Sequence, residues 1–391
     1  MSFHPKNRSL DPEARSQPAG GRITFPLIIV VLCLLSLFAS RSASAQEPPV
    51  YKVDPSWPQQ LPNNWILGQV GGLAVDSEDN IWVLHRPRSL TEDELGAAQN
   101  PPRSMCCKAA PSVLEFDAQG KLLRSWGGPG FVPDWPKAEH GICVDREGNV
   151  WIGGAGPDDR QVLKFSSEGK LLLEIGHPST APENNQDTSM LGRPAGIEVD
   201  DAAHEVYIAD GYMNKRVIVF DSNTGAFKRA WGAYGIPLSE IDNGAPPAYV
   251  AGAPVNKQFA NPVHLVRISM DGLVYVCDRA NDRIQVFTKQ GKFVKEIFVR
   301  PETLGIGSVW TVSFSSDREQ KYLLVADGEN NVIWILRRAD GTVASSFGHN
   351  GRNAGYFHWV HQAGMDSHGN FYTGEVDTGK RVQKFVLVPG K

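Results

Sequence analysis

Three histidines in this sequence occupy the same place in three similar segments. Each one begins a short apolar strand that ends in a turn with Gly: HGICVDREGNVW at His140, HLVRISMDGLVYV at His264 and HQAGMDSHGNFYT at His361. Neutral imidazole is a common Zn²⁺ ligand, and catalytic zinc sites use three protein ligands and keep a fourth position open. These histidines are therefore the first candidates for a metal site.

The segments belong to a pattern that recurs six times along the chain. Each copy contains a short apolar strand, Asp or Ser, a Gly/Asn turn, an aromatic-aliphatic strand, a polar loop, a third strand and a Gly-containing hairpin; the copies begin at residues 72, 141, 196, 265, 312 and 362. Such repetition without a helical period predicts an all-β fold, a six-bladed β-propeller with four-stranded antiparallel blades. The segment VYKVDPSWP, which ends at Pro58, is expected to supply a strand that closes the ring on the last blade.

The innermost strands of a propeller line its central channel, so their first residues converge on the axis. The histidines begin the innermost strands of blades 2, 4 and 6, which are about 120° apart in a six-fold ring. The odd blades have Gly71, Ala195 and either Trp310 or Thr311 at this position. One such histidine alone is better explained as a hydrogen-bonded core or rim residue, but three at one repeat position predict a shared metal, preferably zinc.

A second repeat position carries polar groups that could bind a substrate. The loop after the second strand contains Arg86 in blade 1, Tyr212 in blade 3 and Arg279 in blade 4. Arginine binds a carboxylate through two parallel hydrogen bonds, so these loops suit an anionic substrate, and Tyr212 is a candidate general base. The alternative is that each arginine forms a structural ion pair with a neighbouring aspartate, such as Asp210, Asp278 or Asp327.

Residues 1–45 have the pattern of a signal peptide. Basic residues precede an apolar run at 23–39, and small residues then lead to a cleavage position after Ala45. An uncleaved N-terminal membrane anchor is the alternative. We expect an exported protein, periplasmic or secreted, in which residues 46–391 form a single propeller domain.

The charge of the exported part excludes one class of partner. Without its leader the chain has 34 basic and 41 acidic side chains, a net charge of −7. This balance argues against nucleic-acid binding, which needs basic surface. We expect a monomer that acts on a small-molecule or peptide-derived anionic substrate and has no membrane contact after cleavage.

Four cysteines lie beyond the leader, and two of them are adjacent, Cys106 and Cys107. We expect this pair to be bonded outward or to each other. A metal there is not expected, because the local sequence offers no ligand spacing.

The combination of motifs resembles the peptidyl-α-hydroxyglycine α-amidating lyase family, the lyase half of the peptide-amidating enzymes, which has an NHL-repeat six-bladed propeller. The likeness runs over about residues 65–386, with IWVLHR, HGICVDREGNVW, YIADGYMNKRVIVF, YVCDRANDRIQVF and WVHQAGMDSHGN as its best stretches. The resemblance implies a catalytic zinc and an arginine-lined substrate site. The matching positions are His140, His264 and His361 for the zinc, Tyr212 for the catalytic tyrosine, and Arg86 and Arg279 for the arginines.

One departure concerns a second metal. The family has an aspartate after its third histidine that serves a structural calcium, whereas this chain has Gln362. An amide oxygen can coordinate Ca²⁺ but brings no charge, so the calcium is doubtful here.

The resemblance predicts a zinc-dependent carbon–nitrogen lyase that converts an N-substituted α-hydroxy acid to an amide and glyoxylate. Because the likeness covers the lyase half alone, the substrate need not be peptidyl-α-hydroxyglycine. One alternative is a non-enzymatic NHL propeller that acts as an extracytoplasmic ligand- or protein-binding platform. Another is a calcium-dependent, lactonase-type hydrolase, which would require acidic ligands in the channel.

Overall fold

The structure, a computed structural model, describes residues 47–389. The predicted leader, with its cleavage position after Ala45, lies outside the described residues. Regular structure within 47–389 consists of β-strands and of 3-10 turns of three residues each. No helix in this part of the chain is long and apolar enough to cross a membrane.

The strands follow one another closely along the chain. In order they are β1 (Val50–Asp54), β2 (Trp65–Ile66), β3 (Gln69–Val75), β4 (Ile81–Arg86), β5 (Lys108–Ala109), β6 (Val113–Phe116), β7 (Leu122–Trp126), β8 (Glu139–Val144), β9 (Val150–Gly154), β10 (Gln161–Phe165), β11 (Leu171–Gly176), β12 (Pro194–Asp200) and β13 (Glu205–Asp210). They continue with β14 (Arg216–Asp221), β15 (Phe227–Trp231), β16 (Val263–Ile268), β17 (Leu273–Asp278), β18 (Arg283–Thr288), β19 (Phe293–Phe298), β20 (Thr311–Phe314), β21 (Tyr322–Asp327), β22 (Val332–Arg337), β23 (Val343–Phe347), β24 (Val360–Met365), β25 (Phe371–Glu375) and β26 (Val382–Val388).

Six four-stranded antiparallel sheets form the blades. From the inside outward, blade 1 is β3-β4-β6-β7, and blades 2 to 5 take the strands from β8 to β23 in consecutive groups of four. Blade 6 joins β24, β25 and β26 to β1, with Tyr51 opposite Leu387 and Val53 opposite Phe385. The predicted propeller and its closing N-terminal strand are confirmed.

The repeated Asp-Gly/Asn turn joins the first two strands of several blades. Asp145 accepts the backbone N–H groups of Glu147 and Asn149, and its other oxygen accepts the indole N–H of Trp151 at 3.1 Å. An aspartate that accepts amides two and four residues ahead closes an Asx turn. The aromatic ring six residues later is fully buried between blades, so the motif combines a turn with a core contact.

Five of the six innermost strands share an irregularity near the end where the histidines lie. The pairing register shifts across Val70/Gly72, Glu139/Ile142, Pro194/Gly196, Val263/Leu265 and Val360/Gln362. A bulge leaves the extra residue unpaired and changes the direction of its side chain. His140, His264 and His361 each lie within such a shift, which is how a regular sheet presents them to the axis.

The structure pairs Cys106 and Cys107 with each other in a disulfide, one of the two arrangements expected for them. Cys143 and Cys277 are free and buried. Neither belongs to a cluster of potential metal ligands among the described residues.

A buried ion pair holds the loop that follows β13. Arg216 donates to Asp210 at 2.8 Å, and both side chains are fully buried. Asp210 also accepts from the Asn214 amide at 2.8 Å and from the backbone N–H of Gly192, while Arg216 donates to backbone carbonyls of residues 185, 187 and 190. The pair therefore fixes the segment 211–214 relative to the chain that enters β12.

We predict that Arg216→Met destabilises the fold by about 3–5 kcal/mol, because it leaves Asp210 buried without its cation. Urea unfolding at pH 7 measures this loss. The control is Arg300→Met, since Arg300 and Glu302 form an ion pair with 47% and 59% exposed side chains. The control should lose less than about 1 kcal/mol. Equal losses in the two variants would contradict the assignment.

Candidate metal centre and substrate mouth

The three predicted histidines meet on the axis. Their ring centroids are 5.1 Å apart for His140 and His264, 4.7 Å for His140 and His361, and 4.9 Å for His264 and His361. All three side chains are buried, and one ligand atom from each lies within 4.8 Å of the others. They form the one group of three or more His, Cys, Asp or Glu residues in the described chain that could hold a metal ion.

Backbone carbonyls orient two of the imidazoles. The Nδ1 atom of His140 lies 2.8 Å from the carbonyl oxygen of Ala195, and the Nδ1 atom of His264 is hydrogen-bonded to the carbonyl oxygen of Trp310. A proton on Nδ1 leaves Nε2 unprotonated, which is the state in which Nε2 can bind a metal. The Nδ1 atom of His361 has no protein partner in this structure.

The electrostatics of the cluster favour uncharged rings. Burial lowers the pKa of each histidine well below its usual value, and the charges of Arg86 and Arg279 lower it further. Neutral imidazole is the form that binds metals. The Nε2 atoms of His264 and His361 are 3.2 Å apart. Two nitrogen ligands of a tetrahedral zinc ion with bonds of 2.0–2.1 Å are about 3.3 Å apart, which is close to this distance. The three neutral imidazoles are therefore a donor set that could hold a divalent metal such as zinc.

Tyr212 lies directly beside the cluster. Its hydroxyl oxygen is 2.9 Å from the Nε2 atom of His140 and 3.4 Å from a guanidinium nitrogen of Arg279. Gly211 makes this approach possible, because a Cβ there would lie 2.1 Å from the carbonyl oxygen of Val263. The glycine of the DGY motif thus lets the tyrosine loop lie against the strand that carries His264.

The two predicted arginines lie at the end of the channel that also carries Tyr212. We call this end the mouth. Arg279 is nearly buried, with its guanidinium carbon 4.8 Å from the centroid of the Trp310 ring. Arg86 donates from Nε to the carbonyl oxygen of Glu139 at 2.7 Å and from Nη1 to the Gln69 side chain at 2.8 Å. Both partners of Arg86 are neutral, so its charge remains uncompensated by a direct carboxylate contact.

The alternative in which these arginines pair with blade aspartates is wrong. Asp210 binds Arg216, Asp278 binds Arg283 at 2.7 Å, and Asp327 accepts from Asn330 and Trp334. These three aspartates hold their own loops together through these contacts. The residues that follow each aspartate can therefore face the mouth.

The position after the third histidine carries a neutral amide. Gln362 accepts a hydrogen bond from the hydroxyl of Thr311 at 3.2 Å, and its own amide nitrogen has no partner within residues 47–389. This pairing adds no negative charge near the cluster, so we assign no calcium to it.

The structure adds two residues to the mouth that the motifs did not identify as functional. Trp310 immediately precedes β20, which begins at Thr311, and contacts both His264 and Arg279. Arg193 lies with its guanidinium carbon 5.8 Å from the centroid of the Tyr212 ring. Arg193 directly precedes Pro194, and nothing in this dipeptide indicates the contact.

Comparison with known proteins supports the resemblance. No protein-family model matches the chain. Its curated homologues are peptidylglycine α-amidating enzymes and NHL repeat-containing proteins. The resemblance inferred from the motifs is confirmed.

Three relatives illustrate the match. Peptidyl-glycine α-amidating monooxygenase B of Xenopus laevis is 32% identical over 251 residues, which are 62% of this chain and 25% of the relative. A probable peptidyl-α-hydroxyglycine α-amidating lyase of Caenorhabditis elegans is 25% identical over 57% of this chain and 56% of the relative. NHL repeat-containing protein 3 of Mus musculus is 29% identical over 62% and 58%, respectively. The matched segment thus spans from a quarter to somewhat over half of these relatives.

His85 supports the base of the Arg86 loop. Its Nδ1 atom accepts the backbone N–H of Gly68 at 3.0 Å, which places the proton on Nε2, 3.0 Å from the carbonyl oxygen of Pro111. Burial is the largest cause that lowers the pKa of His85 to about 4. The ring is therefore neutral in the folded protein at pH 7.

We predict that His85→Gln weakens the dependence of stability on pH between about 4 and 6.5. Between these pH values the His85 side chain is protonated in the unfolded wild type but not in the folded wild type. Acidification therefore lowers the free energy of unfolding of the wild type by up to ~3 kcal/mol through this residue, and the variant has no such loss. The stability difference between the two proteins should therefore shrink as pH falls. Urea unfolding at pH 7, 5.5 and 4.5 measures it.

The control is the exposed His177, whose replacement by Gln should leave the pH dependence unchanged. A His85→Gln variant whose stability falls with acid as steeply as that of the wild type would refute the prediction.

Proposed function

We propose that the protein is an exported, zinc-dependent carbon–nitrogen lyase that cleaves an N-substituted α-hydroxy acid to an amide and glyoxylate. The proposal rests on the joint placement of three neutral imidazoles, a phenol 2.9 Å from one of them, and two guanidiniums. Neither guanidinium has a carboxylate partner in the part of the chain that the structure describes. The likeness to α-amidating lyases supports the reaction class. Export rests on the N-terminal leader pattern.

His140, His264 and His361 would hold the zinc. A bound zinc ion supplies a Lewis acid that lowers the pKa of a hydroxyl group in contact with it. The backbone contacts of His140 and His264 keep their Nε2 atoms unprotonated for this purpose.

Tyr212 is the proposed general base. Its hydroxyl oxygen lies against the cluster, where the α-hydroxyl of a substrate would be placed, and 3.4 Å from a guanidinium nitrogen of Arg279. Removal of the hydroxyl proton allows the carbon–oxygen double bond of glyoxylate to form as the carbon–nitrogen bond breaks. The departing amide nitrogen takes up a proton, so the products are a primary amide and glyoxylate.

Arg86 is the proposed carboxylate-binding residue. Its Nε and Nη1 atoms are held by a carbonyl and an amide oxygen, while its second terminal nitrogen has no protein partner among the described residues. A guanidinium fixed in this way can bind the substrate carboxylate without rearrangement. The substrate is therefore anionic, and we propose that a monomer suffices because one chain supplies every group.

The non-enzymatic platform is the second candidate, favoured by the likeness to NHL repeat-containing proteins. A lactonase-type hydrolase has no support, because the described channel contains no acidic cluster able to hold a metal.

We predict that purified protein binds about one zinc ion per chain and releases glyoxylate from α-hydroxyhippurate or a ureidoglycolate-like compound. His140→Ala should lose both the metal and the turnover, because two imidazoles cannot complete the site. Elemental analysis and a glyoxylate assay measure the two properties. The control, His177→Ala, should retain both. Full zinc and turnover in His140→Ala would refute the proposal, and zinc without glyoxylate from any α-hydroxy acid would favour the platform.

A further inference from the structure

Arg193 is a third guanidinium at the mouth, and neither the proposed metal site nor the proposed carboxylate site uses it. It lies in blade 3, one residue before β12 begins at Pro194. Its guanidinium carbon is 5.8 Å from the centroid of the Tyr212 ring, and that of Arg279 is 5.7 Å from the same centroid. The phenol ring therefore has two cations against it, and Arg279 also contacts its hydroxyl.

The backbone of Arg193 holds the same tyrosine. Arg193 has a φ of +61°, in the left-handed region that side-chain-bearing residues seldom adopt. Its carbonyl oxygen accepts the backbone N–H of Tyr212 at 3.2 Å, and the carbonyl oxygen of Gly192 accepts that of Met213 at 2.8 Å. Arg193 thus contacts Tyr212 both through the backbone and through the side chain.

The far end of the Arg193 side chain is attached to blade 2. Its Nε and Nη2 atoms both donate to the carbonyl oxygen of Ala155. The backbone N–H of Ala155 in turn donates to the carbonyl oxygen of Ala138 at 2.8 Å, two residues before His140. The side chain therefore ties the tyrosine loop of blade 3 to the segment that carries His140.

A left-handed conformation at a residue that is not glycine persists where the surrounding structure requires it, and it is found often at functional sites. Here the conformation directs the carbonyl group to Tyr212 while the side chain crosses to Ala155. Arg193 forms no ion pair with a carboxylate in the described residues, so its contacts with Tyr212 and Ala155 are the ones that explain its position.

We propose that Arg193 is a positioning residue that keeps the Tyr212 hydroxyl against His140. The inference rests on the proposed function, in which Tyr212 takes the substrate proton. Loss of the guanidinium would leave the ring free to turn away from the cluster, and misplacement of a catalytic group by about 1 Å can cost a hundredfold in rate.

The main test is Arg193→Gly, because glycine adopts the left-handed backbone without strain and removes only the side chain. We expect kcat for α-hydroxyhippurate to fall at least about tenfold with KM within about twofold. Added ethylguanidinium should restore part of the rate. The control is Arg88→Gln: Arg88 also donates to blade 2 carbonyls at the mouth, has no contact with Tyr212, and should leave kcat unchanged.

A double-variant cycle identifies the route of the effect. In a Tyr212→Phe background, Arg193→Gly should cause little further loss, because the group that it positions is already absent. An additive loss in the double variant, or a raised KM with unchanged kcat, would overturn the proposal; the second result would make Arg193 a substrate-binding residue.

A crystal structure of Arg193→Gly tests the same inference without turnover. We expect the Tyr212 hydroxyl to lie farther from the Nε2 atom of His140 than it does in a wild-type crystal with the same zinc content. If the wild type releases no glyoxylate, the proposed function fails, and this distance alone then decides the positioning role. An unchanged contact in the variant would overturn it.

Discussion

Three imidazoles are buried within about 5 Å of one another on the propeller axis, and this arrangement requires that they stay uncharged. Two like charges at that distance in a water-poor interior repel strongly. The surrounding structure meets the requirement in several ways. Burial lowers the pKa of each ring, and the nearby guanidiniums lower it further. The carbonyl groups of Ala195 and Trp310 accept hydrogen bonds from the Nδ1 atoms of His140 and His264 and fix the orientation of these rings. A set of neutral rings with converging lone pairs is complementary to a divalent cation.

The mouth around this cluster has the opposite charge to the protein as a whole. Residues 46–391 have a net charge of −7, yet Arg86, Arg193 and Arg279 gather at one end of the channel without carboxylate partners among the described residues. Local positive charge in a recess with low-dielectric walls attracts anions despite the overall sign. The fold supplies this arrangement by using buried acids such as Asp210 and Asp278 inside the loops rather than at the mouth.

Much of this arrangement was predictable because it follows from repetition. Once the repeat is aligned, His140, His264 and His361 occupy one position, and so do Arg86, Tyr212 and Arg279. The closing strand was also predictable, since VYKVD has the alternating pattern of a strand with no partner near it in sequence. These inferences needed only the period of the pattern and the geometry of a ring.

The remaining features depend on contacts between blades that no spacing within a repeat reveals. Arg193 reaches Tyr212 and Ala155 through a left-handed backbone before a proline, a conformation that the residue type does not indicate. The sequence left open whether Trp310 or Thr311 begins the innermost strand of blade 5, because the alignment of that repeat was uncertain by one residue. In the structure β20 begins at Thr311, and Trp310 supplies the carbonyl that orients His264. The sequence also could not show which arginines pair with the aspartates of DGY and DR; in the structure they are Arg216 and Arg283.

The most direct test of the metal centre is X-ray absorption spectroscopy of the zinc-loaded protein. If the proposed zinc centre is correct, the spectrum should show three imidazole nitrogens at about 2.0–2.1 Å and one further light atom. Sulfur at about 2.3 Å, which would indicate Cys143 or Cys277, or an all-oxygen shell without imidazole scattering, would contradict the assignment.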